Sequence, residues 1–449
     1  MVDYKSLHFR KTLSIPNLLK IVRTSFDKIA DTRKKKSDYE FIDILMSGLA
    51  IFGLKCPSLL DFHEKQKEKR VKHNLKQLYG INETPCNTQL GNVLDKTNPK
   101  ELRPVTVDVI QELQRQGILE SYRYLNYMLI SLDATGSFSS NTISCPQCCE
   151  KHHRNGKVTY YHQMLIATIV HPNKPTVLPL LAEPITKEDG AIKNDCELSA
   201  AKRLIPDLRK MFPRLKMTIL VDSLYANDPF IKMLKYHGFK FIIRYKQGNT
   251  KILMNEVHKK MQENKTEEFE EQGKDSKNND VVHGYRSING ISLNAEHKDT
   301  KVNYLDYWEI DSDGKEKNFT WITDMTLSRD NVFRVMRAGR SRWKIENETF
   351  NTLKNLGYHF EHNYGHGKQY LATVFTTLML LAFLLDQVQE LCCCVFQAAR
   401  DRFRSRTAFW EKLRSSVTEH FIENWQILYN AIIYGHKGGA LEPDYPDTS

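Results

Sequence analysis

The sequence of 449 residues has no apolar run long enough to cross a membrane. Its longest, Thr373 to Leu385, falls short of the roughly 20 apolar residues that a spanning helix needs. The polar start, MVDYKSLHFRK, lacks the basic, apolar and small-residue order of a secretory signal. These two absences predict a cytoplasmic protein with no membrane partner. Cysteine is thinly spread: nine is an odd number in so long a chain, which excludes a disulfide framework. Three of the nine, Cys392 to Cys394, stand together in an apolar segment and read as small buried hydrophobes. Acids are outnumbered, 54 against 65 Lys and Arg, for a formal charge of +11 and a pI near 9.0. A surplus of that size points to a polyanionic partner. The remaining balance, 41% hydrophobic and 27% charged, describes a globular chain with room for roughly two to four domains.

Residues 1–120 read as helical and basic. Ser37 and Glu40 have capping-box spacing before FIDILMSGLAIFGL, an apolar helix that belongs in a core. Basic residues flank it, from Arg33 to Lys36 and again in HEKQKEKRVKHNLKQLYG. Lys65, Lys69, Arg70 and Lys72 of the second run are candidates for phosphate contacts, against the blander reading of a solvated helix face. At Tyr124 the pattern changes to strands. YLNYMLISLDATGSFSS gives a buried strand ending in Asp133, and TYYHQMLIATIVH and PTVLPLLAEPI complete an antiparallel meander. A helix from about Asp195 to Met211 leads to KMTILVDSLYA, a fourth strand that ends in Asp222, and FKFIIRYK is the fifth.

A third acid draws attention in RSRWKIENETFNTLK, residues 340–354. At about 100° per residue, Phe350 falls within about 20° of Trp343, with Leu353 to one side and Glu346 between them. Glu346 is thereby predicted in the buried stripe, with Glu348 on the opposite face and the second choice for any role. Arg342 stands one turn before Glu346 and Lys354 two turns after it. A carboxylate in an apolar stripe needs a compensating cation. Asp133, Asp222 and Glu346 together would repel one another unless metal sat among them. Oxygen-only ligands select Mg²⁺ or Mn²⁺, and two such ions roughly 4 Å apart can activate a nucleophile and stabilise a leaving oxygen of a phosphodiester.

A separate cluster follows the first aspartate: Cys145, Cys148 and Cys149, then His152 and His153, with His162 on the next strand. Cys-x-x-Cys with nearby histidines suits a structural Zn²⁺ pinning the first hairpin, the candidate set being Cys145, Cys148, His152 and His162. Free thiols in a turn are the alternative. His359, His362 and His366 of GYHFEHNYGHGKQ read as DNA-backbone or packing residues.

The order of strands and helices, LDATG with Asp133, LVDSLYA with Asp222 and RWKIENETFNTLK with Glu346 resembles the Asp-Asp-Glu transposases of bacterial insertion sequences. The resemblance covers roughly residues 40–385. It implies an α/β fold with a ribonuclease-H-like mixed five-stranded sheet flanked by helices, a helical N-terminal domain and a β-rich insertion between the second Asp and the Glu. Within that family the last motif is similar to the group running Tyr, Arg, Glu, Lys. Arg342 matches its arginine and Lys354 is the counterpart of its lysine, which implies contacts of both with DNA phosphates. Two departures stand out. Gly339 occupies the tyrosine position, and seven residues rather than six separate Glu346 from Lys354.

The domains expected are 1–120, helical and DNA-binding; 121–245, the first part of the catalytic core; 246–326, the insertion; 327–390, the rest of the core; and 391–449, C-terminal helices. The insertion opens with a polar stretch, QENKTEEFEEQGKDSKNNDV, read as a mobile loop or surface helix. Its Trp308 and Trp321 are candidates to stack on unpaired bases. The resemblance implies cutting at an element's ends and joining of the 3′-OH to target DNA. The partners would be terminal inverted repeats and target DNA, and the protein would be a homodimer at the nucleoid. An inactive, transposase-derived DNA-binding protein and a metal-dependent nuclease of the same fold are the alternatives.

Overall fold

In the computed structural model the described residues are 12–31, 33, 39–189, 193–246, 251–274, 278–293 and 299–435. The expected cap at Ser37, most of the Arg33–Lys36 run and the tail after Gly435 lie outside them. The chain begins with helices α1 (Ile15–Phe26), α2 (Phe41–Gly53), α3 (Leu59–Lys65), α4 (Lys69–Tyr79), α5 (Asn87–Leu94) and α6 (Arg103–Arg115). It ends with α12 (Leu371–Cys392), α13 (Cys394–Asp401), α14 (Arg406–Glu419) and α15 (Trp425–Tyr434). Both α2 and α12 are apolar on nearly every side, so each must be covered all round, and they pack against each other. Among the described residues α12 alone is long and apolar enough for a membrane span, but 89% of its apolar window is buried inside the protein. It outruns the Thr373–Leu385 stretch because buried Asp386, Gln387 and Gln389 continue it.

Polar contacts lock the first and last helices into one layer. Asn74 of α4 donates to the carbonyls of Val417 and His420 (both 2.7 Å) and accepts from the Ile422 N–H. Lys55, just past α2, is fully buried and pairs with Asp386 of α12 at 2.6 Å. Its ammonium also lies over the rings of Tyr358 and Trp410.

Between these helices the chain builds a mixed α/β core. Its strands are β1 (Arg123–Tyr124), β2 (Tyr127–Ser140), β3 (Cys149–His152), β4 (Val158–His171), β5 (Lys174–Ile185), β6 (Met217–Val221) and β7 (Lys240–Tyr245). They continue with β8 (Glu267–Lys274), β9 (Asp280–Ser292), β10 (Lys301–Ile310) and β11 (Glu316–Thr323). The helices in this part are α7 (Lys193–Met211), α8 (Asp228–Tyr236), α9 (Lys251–Gln262), α10 (Arg329–Arg340) and the short α11 (Asn351–Asn355). As expected, β2, β4 and β5 form an antiparallel meander, while β6 and β7 join β2 as parallel neighbours. All five residues of β6, MTILV, are buried, as befits a parallel strand covered on both faces.

The strands of the insertion extend this same sheet. β11 pairs antiparallel with β7, Thr320 opposite Tyr245, and β10, β9 and β8 follow outward to give eleven strands in all. The polar stretch read as a loop or surface helix contains strand β8. Its glutamates and lysine point to solvent along the sheet edge, where charge discourages further pairing, while Phe269 stacks on Tyr285.

Candidate active site

β2 and β6 run side by side in parallel, and their last paired residues are Ser131 and Leu220. Two residues beyond that pair in each chain stand Asp133, within β2, and Asp222, just past β6, so the register places the two acids at the same level, where β6 ends and β2 runs on. Asp222 leaves the strand in extended conformation and caps a short 3₁₀ turn, Ser223–Tyr225, by accepting from the Leu224 N–H. Asp133 accepts from the Ala134 N–H with one carboxylate oxygen and from Arg342 with the other, at 3.0 Å.

The segment carrying Glu346 is not a uniform α-helix. After α10 come a 3₁₀ turn, Ser341–Trp343, and a π-helical turn, Ile345–Phe350, before α11. The 100° wheel therefore fails here, and Trp343 is no part of the buried stripe: its indole is 53% exposed. Ile345, Thr349, Phe350 and Leu353 form the buried side instead. Glu346, its side chain 36% exposed, is half-buried rather than inside an apolar face, and Arg342 holds it at 2.9 Å. One guanidinium thus spans Asp133 and Glu346, and Ser131 on β2 anchors the same residue by donating to the Arg342 carbonyl. A π turn accommodates one residue more than an α turn.

Burial pushes the Asp133 carboxyl up to about 7; Arg342 opposes the shift and the neighbouring Glu346 adds to it. Tyr225, on the turn after Asp222, is buried, and its hydroxyl finds no hydrogen-bond partner among the described residues. Burial first, then the charges of Glu197, Asp222 and Asp133, hold this phenol well above its ordinary range. Glu197 of α7, 7% exposed, is a fourth acid beside the site. Nothing in its sequence setting marked it out.

Gly339 has a packing reason. A Cβ there would lie 2.5 Å from Nε1 of Trp321, so the indole fills the space that a side chain at 339 would take. This corrects the reading of Trp321 as a base-stacking residue: it is 2% exposed and packs on Phe319 and Gly339. Trp308 is half-buried, lies across Gly284 and donates to Glu270 at 3.0 Å. Lys354 pairs with Glu361 at 2.8 Å. On α3 and α4, Lys65 pairs with Asp61 and Arg70 with Glu68, while Lys69 and Lys72 are exposed.

The cysteine cluster assembles in part as expected. Cys145, Cys148 and His162 come together, but the fourth member is His366. His152 is corrected: 72% exposed, it turns to Glu150, because β3 carries it away from the cysteines. His366 was missed because 218 residues separate it from Cys148. The one available signal was its place between two glycines in GHG.

A mixed sheet carries two aspartates at one level of adjacent parallel strands, and an arginine ties the first of them to a glutamate. The chain belongs to the transposase DDE domain family, whose profile matches residues 150–385, more than half of the sequence, and it is accordingly a DNA-cutting and DNA-joining enzyme. The matched span includes Asp222 and Glu346 and begins after Asp133. No curated protein matches the chain.

Proposed function

We propose that Asp133, Asp222 and Glu346 are the catalytic carboxylates of a transposase that cuts DNA at the ends of an insertion sequence and joins the 3′-OH ends to target DNA. The observation that carries this reading is the single guanidinium of Arg342 bridging Asp133 and Glu346, with Asp222 beside Asp133 by strand register. The meander β2–β4–β5 followed by parallel β6 and β7 supports a ribonuclease-H-like core.

The donor set is all oxygen and partly buried, and the orphaned Tyr225 hydroxyl leaves a polar group beside it unsatisfied. Both features fit a hard divalent cation, Mg²⁺ or Mn²⁺, held by Asp133, Asp222 and Glu346. Bound there, such ions supply activation of water and of the 3′-OH and stabilise the leaving oxygen. The protein's own residues do the positioning. Ser131 fixes the turn that carries Arg342, and Arg342 holds two carboxylates at a set separation while lying beside the path of a phosphate. Lys354 contributes a second phosphate contact once DNA displaces Glu361.

Lys69, Lys72 and their neighbours on α4 contact the terminal inverted repeats, and a homodimer pairs the two ends at the nucleoid. Duplex carrying a terminal repeat, incubated with target plasmid and Mg²⁺, tests the proposal. Joined products that disappear with Asp133→Asn support it. Cutting without joining would mean a nuclease, and binding without cutting an inactive descendant.

A further inference from the structure

The cluster formed by Cys145, Cys148, His162 and His366 has the dimensions of a closed tetrahedral metal site. With Zn–S near 2.3 Å and Zn–N near 2.0–2.1 Å, tetrahedral angles require about 3.8 Å between two sulfurs and about 3.6 Å between sulfur and nitrogen. The two Sγ atoms are 3.7 Å apart. Nε2 of His162 is 3.4 Å from Cys145 Sγ and 3.6 Å from Cys148 Sγ, and Nε2 of His366 is 3.3 Å from Cys148 Sγ. All four ligand atoms lie within 4.8 Å of one another. A disulfide is a poor account of the pair, since it would bring the sulfurs to about 2.05 Å.

The surroundings are organised for the same purpose. The Cys145 backbone N–H donates to Cys148 Sγ, fixing the second sulfur in place. Asn363 Oδ1 stands 3.5 Å from Nδ1 of His366, positioned to accept a hydrogen bond from Nδ1–H and leave Nε2 unprotonated as a ligand. Phe138 closes edge-on against the His366 ring. His366 reaches the cluster because Gly365 and Gly367 both take positive φ, and a Cβ on Gly367 would strike the Asp95 carboxylate. Cys149, next in sequence, is turned away and donates to the Ile185 carbonyl.

We propose that these four residues bind one Zn²⁺ ion, which staples the turn between β2 and β3 and strand β4 to the loop after α11. Four protein ligands leave no open position, so the ion is structural rather than catalytic. Its consequence is mechanical. The staple joins the continuation of the strand bearing Asp133 to the continuation of the segment bearing Glu346, and so fixes two of the three carboxylate supports relative to each other. Zinc binding itself does not depend on the carboxylates being catalytic.

The test uses the full chain purified without chelator. Zinc is measured by atomic emission in the wild type, in His366→Ala and Cys145→Ser, and in the controls His152→Ala and Cys149→Ser. The expected result is one zinc per chain in the wild type and both controls, with loss of the ion in the first two variants. Cobalt reconstitution of the wild type guards against a variant that merely misfolds. Intense visible bands with sulfur-to-cobalt charge transfer are expected. Pale octahedral bands, full zinc in His366→Ala, or equal loss in His152→Ala would overturn the proposal. DNA cleavage plays no part in the readout, so a failure here is distinct from a failure of the carboxylate assignment.

Discussion

Arg342 carries two duties that a lysine could not combine, because only the planar guanidinium fork reaches Asp133 and Glu346 at once. Gly339, three residues earlier, shows the complementary constraint, absence of a side chain. With Trp321 occupying its space, Gly339→Ala should destabilise the protein by about 1–3 kcal/mol through overpacking. Denaturant unfolding checks this, and an unchanged midpoint would remove the packing explanation. His171 gives a pH-dependent prediction. It packs against Tyr122 and Tyr124, and its Nδ1 accepts from the Asn173 N–H. Burial first, then the charges of Lys174, Lys344 and Arg337, hold its pKa below the usual value. The unfolded chain therefore takes up this proton before the folded one does. The contribution of His171 to stability is complete above a pH of about 6.5 and is lost as the pH falls through the depressed folded value. His171→Asn should lose less stability than the wild type on acidification from about pH 7 to 5, and parallel curves for the two proteins would contradict the assignment.

At the scale of elements the π turn at Ile345–Phe350 matters most. Glu346 lies inside it, and the exposed Asn347 follows. Deleting Asn347 would let an ordinary α-helix form, keeping the flanking segments in register while re-aiming Glu346 within the turn. The expected outcome is a folded protein with unchanged helical circular dichroism and no DNA cutting. Full activity would mean that the π turn has no positional role. This element also marks the limit of what the sequence could disclose. The strands carrying or preceding Asp133 and Asp222 were legible from their apolar runs, and the meander from their order, but β2 does not end at Asp133: it runs on to Ser140, because the small residues after the acid stay paired with β4. The helical phase around Glu346 was not legible, because a wheel drawn at one fixed angle cannot represent successive 3₁₀ and π turns. It consequently buried Trp343, which is exposed, and placed Glu346 in an apolar stripe that the structure does not have there. β8 escaped for a related cause: a charged edge strand has no alternation of apolar residues to reveal it.

Across the whole molecule the two ends of the chain are one structural unit, which sequence order conceals. Lys55 and Asp386, 331 residues apart, pair in the interior between the first and last helices. Lys55→Met should cost about 3–5 kcal/mol by stranding a buried carboxylate, and adding Asp386→Leu should recover most of it. A single variant as stable as the wild type would show that the pair does not hold the layers together. For the same reason the basic helices α3 and α4 sit on a scaffold continuous with the sheet, so DNA held there would be held in fixed relation to the carboxylates.

Under the proposed function, Asp133 of β2, Asp222 just past β6 and Glu346 of the π turn act as one metal-binding centre. Mn²⁺ binding by calorimetry tests it most directly, comparing the wild type with Asp222→Ala and Glu346→Ala and using Glu348→Ala as the control. Glu348 is the suitable control because its charge bears on Lys344 rather than on Asp133. The account predicts binding in the wild type and the control and its loss in the other two. Equal binding in all four proteins would contradict it and leave these acids with a structural role alone.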